Sequence, residues 1–248
     1  LPGVGHGFGV ESRWAPQLRA AFARLAGAAP EPKSPSAPAV RDLPLVELPA
    51  KSPSRELSVV ISGDGGWASL DRQIGETFVA RGIPVVGLNS LEYFWKPRTP
   101  DQTGADLTRL LRHYLAAWGA SDLLLVGYSR GADVLPFMVS RLPEDLRSRI
   151  RVVALLGVSH RAGFEFHLAD LVGAGAKGEW PTVPEISRLR GLRLLCVYGT
   201  GEKDSACPDL PPGLATTVAM PGGHHFGGAY RELAARILQV AGGKDPGR

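Results

Sequence analysis

Cysteine is scarce in this chain: two among 248 residues, Cys196 and Cys207. Neither stands in a C-x-x-C motif, so the spacing gives no zinc-ribbon or dithiol redox site. The two can close a disulfide, which would brace the loop after Cys196 and imply an oxidising compartment, or stand as independent thiols; their spacing leaves both open. Long apolar runs are lacking too. The longest, around Val152 to Val158, is strand-sized and far short of a membrane span. No dense Lys/Arg block with interleaved aromatics is present, so nucleic acid is not an expected partner. The formal net charge of +4 suits instead an anionic partner such as a phospholipid surface. The glycine-rich stretch Gly63-Asp64-Gly65-Gly66 is followed by no Lys-Ser/Thr pair and forms no G-x-G-x-x-G, which removes the nucleotide-cradle pattern. The adjacent His224 and His225 cannot share one face of a helix or strand, so no metal site is expected, and no cofactor.

What is present is a globular composition: 44% hydrophobic and 21% charged residues, with 31 glycines and 21 prolines, the prolines concentrated early. From Leu57 onward, strand-like runs alternate with helical ones. Leu57–Ser62, Ile83–Leu88, Leu123–Val126, Val152–Leu156, Leu192–Tyr198 and Thr216–Met220 read as strands. Arg72–Arg81, Asp101–Trp118, Ala132–Arg141 and Ala229–Val240 read as helices, the second with Leu107, Leu110, Leu111, Tyr114 and Leu115 on one face. Leu43–Leu48, limited by Pro44 and Pro49, reads as an edge strand. The alternation predicts an α/β fold, a mostly parallel central sheet with helices on both faces. Residues 29–42 read as a Pro/Ser/Ala-rich linker, 43–241 as the domain and 242–248 as a flexible end. The chain lacks an initiating Met and a visible signal peptide. Its start, Leu1-Pro2-Gly3-Val4-Gly5-His6-Gly7-Phe8-Gly9, echoes Met220-Pro221-Gly222-Gly223-His224-His225-Phe226-Gly227, and each stretch precedes an amphipathic helical run. Residues 1–28 are therefore expected to be the tail of an upstream hydrolase-like domain.

Gly127-Tyr128-Ser129-Arg130-Gly131 lies between the strand at Leu123–Val126 and the next helix. Strand, G-x-S-x-G, helix is the nucleophile elbow of α/β-hydrolases, which holds a serine hydroxyl clear of the sheet. A serine needs a base, and the base needs an orienting carboxylate, in the order Ser, acid, His. Asp204, in the loop after Leu192–Tyr198, is the first choice for the acid because Gly201-Glu202-Lys203-Asp204 supplies G-x-x-D; Glu202 is the alternative. His224, the first histidine after Gly222-Gly223, is the expected base, with His225 as the alternative. The oxyanion hole is expected from the Arg130 N–H and from Asp64, with Gly65 next, in the loop after Leu57–Ser62. Substrate contacts are expected from Asp64, Trp67, Asp133 and the aromatic run Tyr93-Phe94-Trp95; Asp71 and Glu92 are further carboxylates near the motifs. Residues 159–190 read as a cap, with His160 and His167 structural rather than catalytic.

These segments, with Ser62-Gly63-Asp64-Gly65-Gly66-Trp67, Gly87-Leu88-Asn89-Ser90-Leu91, Gly127–Phe137, Glu202–Pro208 and Pro221–Phe226 as the carriers, resemble the bacterial virulence protein family VirJ, including the AcvB proteins. The resemblance covers roughly Leu43 to Leu238. It implies a periplasmic α/β-hydrolase fold and hydrolysis of lysyl-phosphatidylglycerol to lysine and phosphatidylglycerol, with Ser129 as nucleophile and Asp204 and His224 as its partners. It also implies a peripheral encounter with a membrane surface and a link to type IV secretion. The alternatives are a hydrolase-fold binding protein of such a secretion system, and an esterase or thioesterase for another substrate. Members often carry an aromatic residue after the serine. Here Arg130 stands there, which leaves the backbone donor intact and bears on substrate preference.

Overall fold

The computed structural model describes residues 38–166 and 179–243. The proposed upstream tail, most of the linker and most of the C-terminal segment lie outside the described residues, as does His167. The central sheet has seven strands: β1 (Leu45–Leu48), β2 (Glu56–Ile61), β3 (Val85–Leu88), β4 (Asp122–Tyr128), β5 (Ile150–Leu156), β6 (Leu194–Gly199) and β7 (Thr216–Met220). Their order is β1-β3-β2-β4-β5-β6-β7. Within this sheet, among the described residues, only β1 runs antiparallel, pairing with β3 at the edge, and the other pairings are parallel.

Four long helices cover the sheet: α1 (Ser69–Ala80), α2 (Pro100–Trp118), α3 (Arg130–Ser140) and α4 (Tyr230–Gly242). The inner strands are apolar on both faces because both faces are covered. Leu57, Val59 and Ile61 of β2, with Leu123 and Leu125 of β4, pack under α2 and α3. Val60 of β2, with Leu124 and Val126 of β4, packs under α1 and α4. The limits of α2 follow from its sequence. Thr99 caps it by accepting the Gln102 N–H, the Gln102 side chain accepts the Thr99 N–H, Pro100 opens the first turn, and Gly119 ends it in the left-handed region at φ 66°.

The domain begins earlier than the sequence pattern suggests. Val40 is fully buried, and Arg109 of α2 donates to the Ala39 carbonyl at 2.7 Å and to Asp42 at 2.6 Å. Residues 38–42 therefore belong to the packed domain; their proline and alanine content reads as linker because the anchoring arginine lies 67 residues away in sequence.

Because the inner strands are parallel, the loops that follow β2, β4, β5 and β6 leave from one edge of the sheet, and that of β7 joins them. Open α/β sheets form their ligand sites at this edge.

Candidate active site

Ser129 occupies the turn between β4 and α3 with φ 53° and ψ −121°. For a residue with a Cβ this backbone is strained, and strain of this kind persists only where neighbours over-determine it. Here the Ser129 N–H donates to the Leu156 carbonyl at 2.9 Å, and its own carbonyl accepts the Asp133 N–H at 3.0 Å. The turn can lie this close to β2 because Gly131 has no side chain. A Cβ there would sit 2.1 Å from the Ile61 carbonyl oxygen.

His224 meets the serine from the loop after β7, with Nε2 2.8 Å from Ser129 Oγ. Its Nδ1 is hydrogen-bonded to Glu202 Oε1. The other carboxylate oxygen of Glu202 accepts the Gly199 N–H at 2.5 Å. The result is a continuous chain of hydrogen bonds from Glu202 through His224 to Ser129. Two backbone bonds hold the supporting loops together: Thr200 N–H to the Met220 carbonyl and Gly201 N–H to the Gly222 carbonyl, both 2.8 Å. The charges agree with the geometry. The Glu202 hydrogen bond raises the His224 pKa above the usual histidine value, against the opposing effect of burial. Burial alone would raise the Glu202 carboxyl, but hydrogen bonds from His224 and Gly199 outweigh it and hold it below the usual carboxylate range.

Asp204 does not reach this chain. It lies 3.1 Å from His160 Nδ1, while Asp209 takes the opposite ring nitrogen at 2.7 Å. The reason is the turn that closes directly after β6. The Glu202 N–H donates to the Gly199 carbonyl at 2.9 Å, which folds residue 202 back towards His224. The chain then leads away, held by a bridge between Ser159 and Ser205 and by the disulfide joining Cys196 to Cys207. The signal for Glu202 was present in the sequence, since Gly199-Thr200-Gly201-Glu202 has the same glycine-to-carboxylate spacing as Gly201-Glu202-Lys203-Asp204. His225 is exposed, with Nδ1 2.8 Å from the Tyr128 hydroxyl rather than on the serine. Gly157 gave no sequence signal. It lies at φ 66° with its would-be Cβ 2.8 Å from His224 Cε1, so it makes room for the imidazole.

The loop after β2 lies against the elbow. A tight turn, with the Gly66 N–H on the Gly63 carbonyl at 3.1 Å, makes Asp64 and Gly65 its central residues. A Cβ on Gly63 would be 3.2 Å from Ser129 Cβ. The Asp64 carboxylate accepts a hydrogen bond from Arg130 Nε. Arg130 opens α3, where the first N–H groups of a helix lack partners within it.

The remaining predicted contacts divide. Asp133, in the first turn of α3, is partly exposed; its two oxygens accept the Ser159 N–H at 2.7 Å and the Ser159 hydroxyl at 2.9 Å. Burial raises its pKa to about 7, nearby Asp64 adds to this, and Arg130 opposes it. Trp95 is partly exposed and stacks on Phe166 with ring centres 5.6 Å apart. Three other expectations need correction. Tyr93 and Phe94 are core residues, 1% and 0% exposed, because the short helix Ser90–Tyr93 turns them inward. Tyr93 donates to Asp106 at 2.5 Å. Trp67 wedges between α1 and β3, where Gly87 and Gly75 leave space for its ring, and packs, partly buried, against the core cluster under α1. Asp71 is 1% exposed and accepts the Ala68 N–H at 3.2 Å, so it closes the first turn of α1. Glu92 is bonded by Asn89 at the exposed surface.

Among the described residues no three His, Cys, Asp or Glu side chains gather as a metal site, and no helix is long and apolar enough to cross a membrane.

Solved structures share this fold at low identity. Est1E from Butyrivibrio proteoclasticus is 14% identical with a TM-score of 0.56, covering 79% of this chain and 92% of its own. The thioesterase domain from the curacin biosynthetic pathway is 16% identical with a TM-score of 0.51, covering 78% and 94%. Proline iminopeptidase from Mycobacterium smegmatis is 13% identical with a TM-score of 0.53, covering 79% and 94%. These likenesses establish the α/β-hydrolase fold. No curated protein matches the chain. Residues 55–244 match the family described as "Bacterial virulence protein (VirJ)", and the chain belongs to that family.

Proposed function

We propose that this protein is a serine hydrolase that cleaves the aminoacyl ester of lysyl-phosphatidylglycerol through Ser129, His224 and Glu202. The observation that carries the reading is the unbroken hydrogen-bond chain from Glu202 to Ser129 Oγ, at the elbow where the backbone is strained. A binding module has no use for such a chain. In the proposed reaction His224 Nε2 takes the Ser129 proton as Oγ attacks the lysyl carbonyl carbon. Glu202 holds the imidazole by accepting a hydrogen bond from its Nδ1–H and stabilises the imidazolium. The Asp64 and Arg130 N–H groups receive the oxyanion, and donors of this kind contribute a few kcal/mol each. The imidazolium then protonates the departing glycerol oxygen of phosphatidylglycerol. Water, deprotonated by His224, attacks the lysyl-serine ester, and lysine leaves as Ser129 is regenerated.

Two features favour a cationic acyl group. Asp64, Asp133 and Glu202 lie close enough to influence His224 electrostatically, and each raises its pKa. Asp133 also places a carboxylate, bonded by Ser159, four residues from the nucleophile. The Cys196–Cys207 disulfide supports the periplasm as the proposed location, because buried disulfides persist in oxidising compartments. A peripheral encounter with the membrane surface follows from the lipid substrate and the net positive charge.

The test is release of free lysine from lysyl-phosphatidylglycerol vesicles, with Ser129→Ala as control. Release by the wild type alone supports the reading. If a fluorophosphonate labels Ser129 but no lysine appears, the ester is a different one. If Ser129 in the folded chain is neither labelled nor active, a binding role in secretion takes its place.

A further inference from the structure

The side chain of Arg130 has no part in the proton chain, yet it is buried beside the nucleophile at 9% exposure. It is held from two sides. Nε donates to the Asp64 carboxylate in the loop after β2. Nη1 donates to the carbonyls of Gly163, at 3.2 Å, and Glu165, at 2.9 Å, in the segment after β5. The guanidinium also lies over the Phe166 ring, 5.7 Å from its centre, and Phe166 stacks on Trp95. That second segment is itself pinned. The Arg98 N–H donates to Phe164 and the Phe166 N–H to Phe94, at 2.9 and 2.8 Å. One planar fork thus joins the elbow to the Asp64 turn and to the Trp95–Phe166 wall. Lysine, with a single point of charge, cannot make this arrangement.

We propose that the Arg130 side chain is a positioning group: its ion pair with Asp64 fixes the Asp64 turn relative to the start of α3, so that the backbone N–H groups of residues 64 and 130 converge on one oxyanion. This rests on the serine-hydrolase reading above and goes beyond it, since that reading requires only the backbone of these residues. The physical reason is that the hydrogen bond of the Gly66 N–H to the Gly63 carbonyl closes the turn on itself but does not tie its tip to the start of α3. Gly65 at its tip is exposed, and a turn flanked by glycines has wide backbone freedom. Oxyanion stabilisation depends on donors already in place, so a tether that removes this freedom acts on the rate rather than on substrate capture.

The experiment is saturation kinetics of Ser129 labelling by a fluorophosphonate, whose phosphoryl oxygen must enter the oxyanion site, using the full chain. Asp64→Asn and Arg130→Met should each lower the maximal labelling rate at least fivefold while the half-saturating concentration stays within twofold. The double variant should fall no more than threefold below the slower single variant, because the two changes break one tether. A maximal rate less than fivefold below wild type in a folded single variant, or a half-saturating concentration moved beyond twofold, would overturn the proposal. So would losses that multiply in the double variant. Should Arg130→Met fail to fold, Asp64→Asn and Arg130→Lys decide, Asp64 being the more exposed partner. A merely structural role would lower the melting temperature and leave the labelling rate of the folded protein unchanged. Absence of labelling in the folded wild type, or equal labelling of Ser129→Ala, would instead remove the serine-hydrolase reading and this inference with it.

Discussion

Glu202 holds His224 from one side only, and its second oxygen is anchored to the backbone of the strand it follows. Oε1 meets His224 Nδ1, and Oε2 accepts the Gly199 N–H. A carboxylate fixed at both oxygens cannot swing, so the imidazole keeps one tautomer, with the lone pair of Nε2 facing Ser129 Oγ 2.8 Å away.

Replacing Glu202 by Gln keeps the shape and removes the charge. The amide also offers N–H where His224 needs an acceptor, which favours the wrong tautomer. We expect kcat for ester hydrolysis to fall by roughly 10⁴-fold, the scale seen when a triad carboxylate is neutralised. Asp204→Asn should stay within about threefold of wild type, because Asp204 faces His160 and not the triad. Steady-state kinetics on one ester substrate compare the two. Equal losses, or a larger one at Asp204, would reject the Glu202 assignment.

The pH dependence of kcat/KM should show an acidic limb set by His224, which must be neutral to accept the serine proton. Because the Glu202 hydrogen bond raises its pKa, that limb should lie above the ordinary histidine value of about 6.5. In Glu202→Gln the limb should move to lower pH. The linked stability has a definite sign. The raised His224 pKa gives stability that is complete below the unfolded value and is lost as pH rises through the folded one. The lowered Glu202 pKa gives stability present above the unfolded carboxylate value and lost as pH falls through the folded one. A limb that stays in place in the Gln variant would argue against the coupling.

Most of the sheet and the elbow could be read from the sequence because they depend on local signals. Strands buried on both faces show as unbroken apolar runs, and Gly127-Tyr128-Ser129-Arg130-Gly131 marks a turn that few other residues can form. The identity of the acid was less accessible, since Glu202 and Asp204 each stand three residues after a glycine. Only the closing turn at Gly199 and the hydrogen bond of Asp204 to the distant His160 separate them. The aromatic run misled for a related reason: composition cannot tell a pocket wall from a core, and the short helix at Ser90–Tyr93 turns two of the three rings inward.

Gly157→Ala should impair catalysis without removing a reacting group. The new methyl would meet His224 Cε1 at 2.8 Å, at a φ of 66° that alanine rarely adopts. We expect kcat to fall by at least tenfold, the scale expected of a displaced catalytic group, with a small drop in melting temperature. A variant as active as wild type would show that the loop relaxes freely around the imidazole.

The Cys196–Cys207 disulfide closes a loop that contains Glu202, with the two residues 11 apart in sequence. In the chain-entropy description a loop of this size contributes about 3 kcal/mol of stability. The double variant Cys196→Ala/Cys207→Ala should therefore melt roughly 5–10 °C lower. Its activity should fall as well, because the segment that carries the triad acid loses its covalent tie. Calorimetry and ester hydrolysis on the same samples would check both effects, and unchanged melting would show that backbone bonds alone secure the loop.

Asp71 is the buried carboxyl whose energetics the fold leaves least balanced. It is 1% exposed, Oδ2 accepts the Ala68 N–H, and Oδ1 has no partner. Burial raises its pKa to about 7, against the lowering effect of its backbone hydrogen bonds. The sign follows from proton uptake. Between the unfolded carboxylate value and about 7 the native state holds the extra proton, so this group makes the protein less stable as pH rises through that interval, with the full cost present above it. Asparagine keeps an acceptor for Ala68 and carries no charge to desolvate. The melting temperature of Asp71→Asn relative to wild type should therefore increase from pH 5 to pH 8, by an amount on the order of a few kcal/mol when converted to free energy. Asp133 has its pKa raised in the same way but is present in both proteins, so its contribution cancels in the difference. A difference in melting temperature that stays flat across this range would mean that Asp71 reaches solvent or a donor when ionised.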